Sequence, residues 1–223
     1  MHQRKSKKVL VYFFLFVIIS SINNVSLSSI NFNKVQKINV SGLSNNENKL
    51  LLNQIKKLNL ENIFLINVSK INSLISSNTL VESYEVFKKY PSTINFKIKK
   101  TIFLARINKN GKTFLIGSNG KYSLSENKNN HLPYVFGKPD IKEFLKFKKI
   151  IDQSKLQYDQ IDNLFFFPSK RWDIKLKNNV LLKLSNKNVE ETLNNVTEFL
   201  QNYNVDKFTI FDVRISNQII LNE

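Results

Sequence analysis

Residues 81–99 read Val81-Glu82-Ser83-Tyr84-Glu85-Val86-Phe87-Lys88-Lys89-Tyr90-Pro91-Ser92-Thr93-Ile94-Asn95-Phe96-Lys97-Ile98-Lys99. Successive side chains of a β-strand point to opposite faces, so apolar residues two apart share one face. Tyr84 and Val86 do so before Tyr90-Pro91-Ser92, and Ile94, Phe96 and Ile98 do so after it. Pro presets a turn conformation and lacks an N–H, so this tripeptide joins two strands and does not continue one. The spacing predicts a hairpin whose second strand buries Ile94, Phe96 and Ile98.

The residues upstream supply the other side of that core. Ile38 and Val40 alternate in a short strand that stops at Ser41-Gly42. Leu51, Ile55 and Leu58 recur at helical spacing behind the capping candidates Asn45 and Asn46. Val68, Ile71 and Ile75 mark a second helix after Asn62-Ile63-Phe64. The order β-α-α-β-β predicts a small sheet with two helices on one face.

From Thr101 the pattern turns to many strands. Asn110-Gly111 and Asn119-Gly120 are tight-turn signals around Phe114-Leu115-Ile116. A helix is expected from Asp140 to Gln153, burying Ile141, Phe144, Leu145 and Ile151 while Lys142, Lys146 and Lys149 stay in water. Phe165-Phe166-Phe167 reads as a strand stopped by Pro168. Trp172, Ile174 and Leu176 face Val180, Leu182 and Leu184 across Asn178-Asn179, with Trp172 expected in the core. Val189, Leu193, Val196 and Leu200 mark a further helix, and residues 208–215 and 218–221 close the chain as strands. The fold class is α+β: the β-α-α-β-β unit, then a β-rich region with two or more helices.

The chain carries 34 Lys and Arg against 17 Asp and Glu, a net charge of +17, with 42% apolar residues, no Cys and 2 His. That apolar share supports a core. Without Cys there is no disulfide scaffold, thiol nucleophile, iron–sulfur cluster or thiolate zinc site. His2 lies in a charged tail and His131 stands alone. Asp159 with Asp162, and Glu190 with Glu191, sit on faces expected to be wet, and no Gly-rich phosphate loop is present. No catalytic residue, cofactor or metal is expected, and no enzyme. The charge comes from 30 Lys and only 4 Arg, dispersed among 32 Asn, whereas nucleic-acid binders cluster Arg with aromatics. No nucleic-acid partner is expected.

Arg4, Lys5, Lys7 and Lys8 precede an apolar run from Val9 to Ile19, and no further charge appears until Lys34. The basic cluster should stay cytoplasmic, placing the remainder across the membrane. The strictly apolar run is short, and the uncharged residues 20–27 extend it to a spanning length. A retained anchor and a signal peptide cleaved near Ser26 and Ser28 both fit.

Five segments follow one another behind this N-terminus. They are Ile38-Asn39-Val40-Ser41-Gly42; the series Val81, Tyr84, Val86, Lys88, Pro91, Thr93, Ile94, Phe96 and Ile98; residues 114–120 with Leu132-Pro133 and Gly137; Arg171-Trp172-Asp173-Ile174-Lys175-Leu176; and Phe211-Asp212-Val213-Arg214. In that order they resemble the FtsQ/DivIB cell-division family. Lys100-Thr101-Ile102-Phe103-Leu104-Ala105 departs from the acidic and Pro positions usual there.

The resemblance implies a single-pass protein of the bacterial inner membrane at the division septum, its N-terminus cytoplasmic and its bulk periplasmic. Residues 1–8 would be the cytoplasmic tail, 9–29 a transmembrane anchor, 34–100 a POTRA domain and 101–223 a β domain. It also implies a non-enzymatic divisome scaffold linking early and late division proteins. The β domain would receive FtsB- and FtsL-type partners, and the POTRA domain other divisome proteins. The other reading is an exported POTRA-type module in outer-membrane assembly or secretion.

In that family an FtsB strand adds to the last strand of the β domain. The resemblance therefore puts partner-binding residues at Arg214, Ile215, Asn217, Gln218, Ile219 and Ile220. Arg214 pairs either with Asp212 or with an acidic residue of the partner, and the Ile side chains belong either to the core or to the edge.

Overall fold

The computed structural model describes residues 5–22, 35–125, 131–203, 207–215 and 218–222. The chain divides into two compact units, Met1–Ser77 with Tyr84–Lys99, and Asn78–Ser83 with Lys100–Glu223.

The first unit holds helix α1 (Lys5–Ile22) and then β1 (Lys37–Ser41), α2 (Asn45–Lys56), α3 (Val68–Ser77), β2 (Val81–Lys89) from Tyr84 on and β3 (Thr93–Lys100) as far as Lys99, the expected β-α-α-β-β order. Its sheet runs β1-β3-β2, with β1 parallel to β3 and Ile38 and Val40 opposite Ile94 and Phe96. Ile94, Phe96 and Ile98 are buried, as are Leu51 and Ile55 of α2 and Ile71 and Ile75 of α3. Gly42 ends β1 at φ +111°, and a Cβ there would lie 1.8 Å from the Ile98 carbonyl oxygen. Only glycine permits that approach.

Three expectations need correction here. The cap of α2 is Ser44, whose Oγ accepts from the Glu47 N–H while the Glu47 carboxylate accepts from the Ser44 N–H. Asn45 and Asn46 lie inside the first turn, since this reciprocal capping box satisfies two orphan donors at once. Leu58 falls beyond the end of that helix. Val68 is 68% exposed, not aligned with Ile71 and Ile75 on the buried face. Asn67 accepts the Lys70 N–H at 3.0 Å and starts the helix there, which leaves Val68 in the first turn.

Among the described residues no helix is long and apolar enough to cross a membrane. Helix α1 has 18 residues and opens with Lys5, Lys7 and Lys8. Its strictly apolar part, Val9–Ile19, is exposed along its length and spans only about 16 Å at 1.5 Å per residue. The expected anchor also takes in residues 23–29, which lie outside the described residues.

The second unit is built on a nine-stranded sheet in the order β12-β11-β10-β9-β8-β7-β4-β5-β6. The strands are β4 (Phe103–Lys109), β5 (Lys112–Gly117), β6 (Tyr122–Leu124), β7 (Tyr134–Phe136), β8 (Ile161–Phe166), β9 (Trp172–Leu176), β10 (Leu181–Leu184), β11 (Ile210–Val213) and β12 (Ile220–Asn222). Helices α4 (Ile141–Gln153) and α5 (Val189–Asn202) cover one face and enclose a single core with it. Phe147 stacks on Trp172 at 4.5 Å and Phe199 meets Phe211 edge-on at 6.3 Å. Asn110 (φ 53°) and Gly111 (φ 76°) turn the β4–β5 hairpin, and Asn179 (φ 69°) the β9–β10 hairpin. Both closing strands are shorter than expected, and Phe167 falls outside β8.

Residues 78–83 are held into this second unit by side-chain bonds. Glu82 accepts from Thr101 Oγ1 (3.1 Å) and Ser118 Oγ (2.6 Å). Asn119 Nδ2 donates to the carbonyls of Thr79 and Val81, both at 2.9 Å.

Candidate partner-binding edge

The registers of the second sheet align one row of side chains across six strands. Ile220 pairs with Asp212, Asp212 with Lys183, Lys183 with Asp173, Asp173 with Phe165, and Phe165 with Phe136. Cross-strand partners share a face. The neighbouring positions Phe211, Leu182, Ile174 and Leu164 sit in the helix-covered core, so this row lies on the opposite face. Arg171 and Arg214 stand two residues from Asp173 and Asp212, on that same face. The result is a series of alternating charges, Arg171, Asp173, Lys183, Asp212 and Arg214, ending beside β12.

The two carboxylates behave oppositely. Asp173 is buried, accepting from Arg171 Nε (3.2 Å) and Nη2 (3.3 Å) and from the Leu184 N–H (3.3 Å). Burial pushes its carboxyl above the usual range, against the pull of Arg171. Asp212 accepts from Arg214 Nε at 2.8 and 2.9 Å, from Nη2, and from the Arg214 backbone N–H at 3.2 Å. Those bonds hold its carboxyl below the usual range, more than its burial raises it.

A depressed carboxyl contributes stability above its unfolded value, about 3.9, that is lost as pH falls through the folded value. Asp212→Asn should therefore cost stability at pH 7, and its gap from the parent should close in acid. Urea unfolding at pH 7 and pH 3 checks this, and a gap that widens in acid would contradict the assignment.

Of the residues expected at the partner edge, Arg214 and Ile215 lie after β11, Gln218 and Ile219 before β12, and only Ile220 lies in β12 itself. Asn217 lies outside the described residues. Arg214 is engaged by Asp212, yet its side chain remains 47% exposed. A guanidinium has five donors, so engagement by one carboxylate leaves capacity for another. Ile215 is 56% and Ile220 44% exposed, whereas Ile219 packs on the core.

Among the described residues β12 bonds only to β11 and forms one edge of the sheet, as β6 forms the other. Beside β12 opens a pocket of about 190 Å³, lined by Thr192, Asn195 and Val196 of α5 with Val213, Ile215, Gln218 and Ile219. The α5 residues were not expected here, because their place depends on how the helix docks. No group of His, Asp and Glu able to hold a metal occurs among the described residues. Asp159, Asp162, Glu190 and Glu191 are all exposed. An open strand edge with an adjoining pocket and flanking charge has the geometry to pair with another backbone.

Residues 33–100 match the family model "POTRA domain, FtsQ-type", and residues 105–214 match "Cell division protein FtsQ/DivIB, C-terminal". The chain is 26% identical over 169 residues to the cell division protein FtsQ of Rickettsia bellii (strain RML369-C), covering 72% of this chain and 60% of the relative. It is 24% identical over 188 residues to the FtsQ of Rickettsia conorii (strain ATCC VR-613 / Malish 7), covering 77% of this chain and 67% of that one. The match to the first relative thus spans about three fifths of its length. The major extracytoplasmic domain of DivIB from Geobacillus stearothermophilus aligns with a TM-score of 0.32 at 11% identity, over 46% of this chain and 87% of that one.

Proposed function

The chain belongs to the FtsQ/DivIB cell-division family, and from that premise we propose that it is a non-enzymatic scaffold of the division machinery, docking an extended segment of an FtsB-type partner along β12. The observation that carries this reading is the outer side of β12, unpaired among the described residues. An added strand gains affinity from backbone N–H and C=O groups and register from side-chain pockets. The pocket lined by Ile215, Gln218 and Ile219 offers such a place, and Arg214 sets a positive charge beside it. An FtsL-type partner would join through the same complex, and the first unit would meet other division proteins.

The basic residues before Val9 stay in the cytoplasm, the apolar N-terminal segment at residues 9–29 anchors the chain in the inner membrane, and both folded units stand in the periplasm at the septum. Lys5, Lys7 and Lys8 ahead of the apolar run support that orientation.

Arg214→Glu should weaken binding of an FtsB-type periplasmic fragment by about tenfold at low salt, and the difference should shrink as salt shortens the screening length. Binding isotherms at two ionic strengths, with unfolding curves run in parallel, test this. A partner fragment that fails to bind the parent chain at all would sink the scaffold reading.

A further inference from the structure

We propose that the end of the first unit where the chain enters it is a lipid-docking surface: Phe64, Leu65 and Tyr90 enter the interfacial layer of an anionic bilayer while Lys88 and Lys89 meet its phosphates. This rests on the reading that the N-terminal apolar segment is held in a membrane.

The surface is built, not incidental. Asn62 Oδ1 accepts the N–H groups of Phe64 (2.8 Å) and Leu65 (3.3 Å), fixing a tight turn in which both side chains project. Ile63, just before them, is fully buried and plugs the turn into the unit. The Phe64 ring stacks on Tyr90 at 5.3 Å. Phe64 and Tyr90 nevertheless remain half exposed, and Leu65 is 81% exposed. A turn held this firmly with large apolar side chains outward marks an interaction site, since scattered polar residues would serve a merely solvated loop.

Its position selects the occupant. The Val35 N–H donates to the Glu61 carbonyl at 3.3 Å, and the Gln36 N–H to the Ser92 carbonyl at 2.9 Å. The chain therefore enters the unit beside the Asn62–Leu65 turn and the Tyr90-Pro91-Ser92 turn. Thirteen residue steps separate Ile22, the end of the apolar helix, from Val35, a reach of at most about 45 Å even when fully extended. Of the two ends of the unit, this one is joined most directly to whatever holds that helix.

The two ends differ in exposed aromatic side chains, while Lys occurs at both, Lys97, Lys99 and Lys100 of β3 standing at the opposite end. The opposite end of the unit, where β1 stops and α2 begins, carries Ser44, Asn45, Asn46 and Glu47. Exposed Lys88 and Lys89 adjoin Tyr90, and Glu61 lies at the same end. Aromatic rings with flanking Lys are the pattern that lies at a headgroup layer, and anionic lipid attracts the Lys.

The chain has no Cys, so Leu65→Cys gives a single labelling site on an exposed side chain. The full chain would be reconstituted into phosphatidylcholine–phosphatidylglycerol vesicles, washed with alkaline carbonate, and labelled with an environment-sensitive dye. Asn46→Cys at the polar end is the control. Spin-labelled lipid should quench the dye at residue 65 several-fold more than at residue 46. The excess should fall in phosphatidylcholine alone. Equal, water-like emission at both sites in a chain that stays with the vesicles overturns the docking and leaves the anchor standing. A chain stripped off by the carbonate wash overturns the anchor, and the docking with it.

Discussion

Phe96→Ala is expected to destabilise the first unit by about 3–5 kcal/mol, the range for truncating a large aromatic in a core. Phe96 is fully buried, opposite Val40 in the parallel β1–β3 pair, with Ile94 and Ile98 beside it on the same face. A unit of about 65 residues holds only about 3–10 kcal/mol at roughly 0.05–0.15 kcal/mol per residue. The loss is therefore comparable to everything the unit has. Hydrogen exchange of β1 and α2 amides in the intact chain reads it, because those elements close the same core. Val86→Ala in the neighbouring strand should do little, since Val86 is already exposed. Unchanged exchange in the Phe96→Ala chain would mean that Phe96 does not fill this core.

Residues 81–99 could be read correctly because the forces that place them are local. Alternation, a Pro turn and a run of three inward side chains need no knowledge of distant partners. The β9–β10 hairpin was legible for the same reason, and Ile174 does pair with Leu182 across it. β6 and β7 were not legible, since three residues are too few for a period to show. The parallel pairings β4–β7, β7–β8 and β10–β11 join segments far apart in sequence, so only the closed core determines them.

The bounds of the two closing strands were not legible. Asp212 draws the Arg214 N–H and guanidinium to its own carboxylate, and the Gln218 N–H closes on the Ile215 carbonyl at 3.3 Å. Those local bonds compete with the ladder and end β11 at Val213. The register alone brings Asp173 and Lys183 level with Asp212, and no local pattern announces it.

The largest loss of partner binding is expected from Pro in β12. Backbone N–H groups of an edge strand alternate between the existing ladder and the open side. Of the adjacent pair Ile220 and Leu221, one therefore offers its donor outward. Pro at that residue removes the donor and sets its ring against an incoming strand, while an edge position tolerates Pro in the unbound fold. Losing two or three strand bonds at about 0.5–1.5 kcal/mol each corresponds to roughly ten- to a thousandfold in Kd. Pro at Gln218 would not serve, since it would break the turn to Ile215 instead. The measurement is partner affinity together with unfolding midpoint for Ile220→Pro and Leu221→Pro. The variant that keeps the parent's midpoint should be the one that loses the partner, because only an outward N–H can be removed without cost to the fold. Full-strength binding by both variants, correctly folded, would move the partner off β12. The opposite edge at β6, where Leu124 is exposed, would then be the remaining open edge of this sheet.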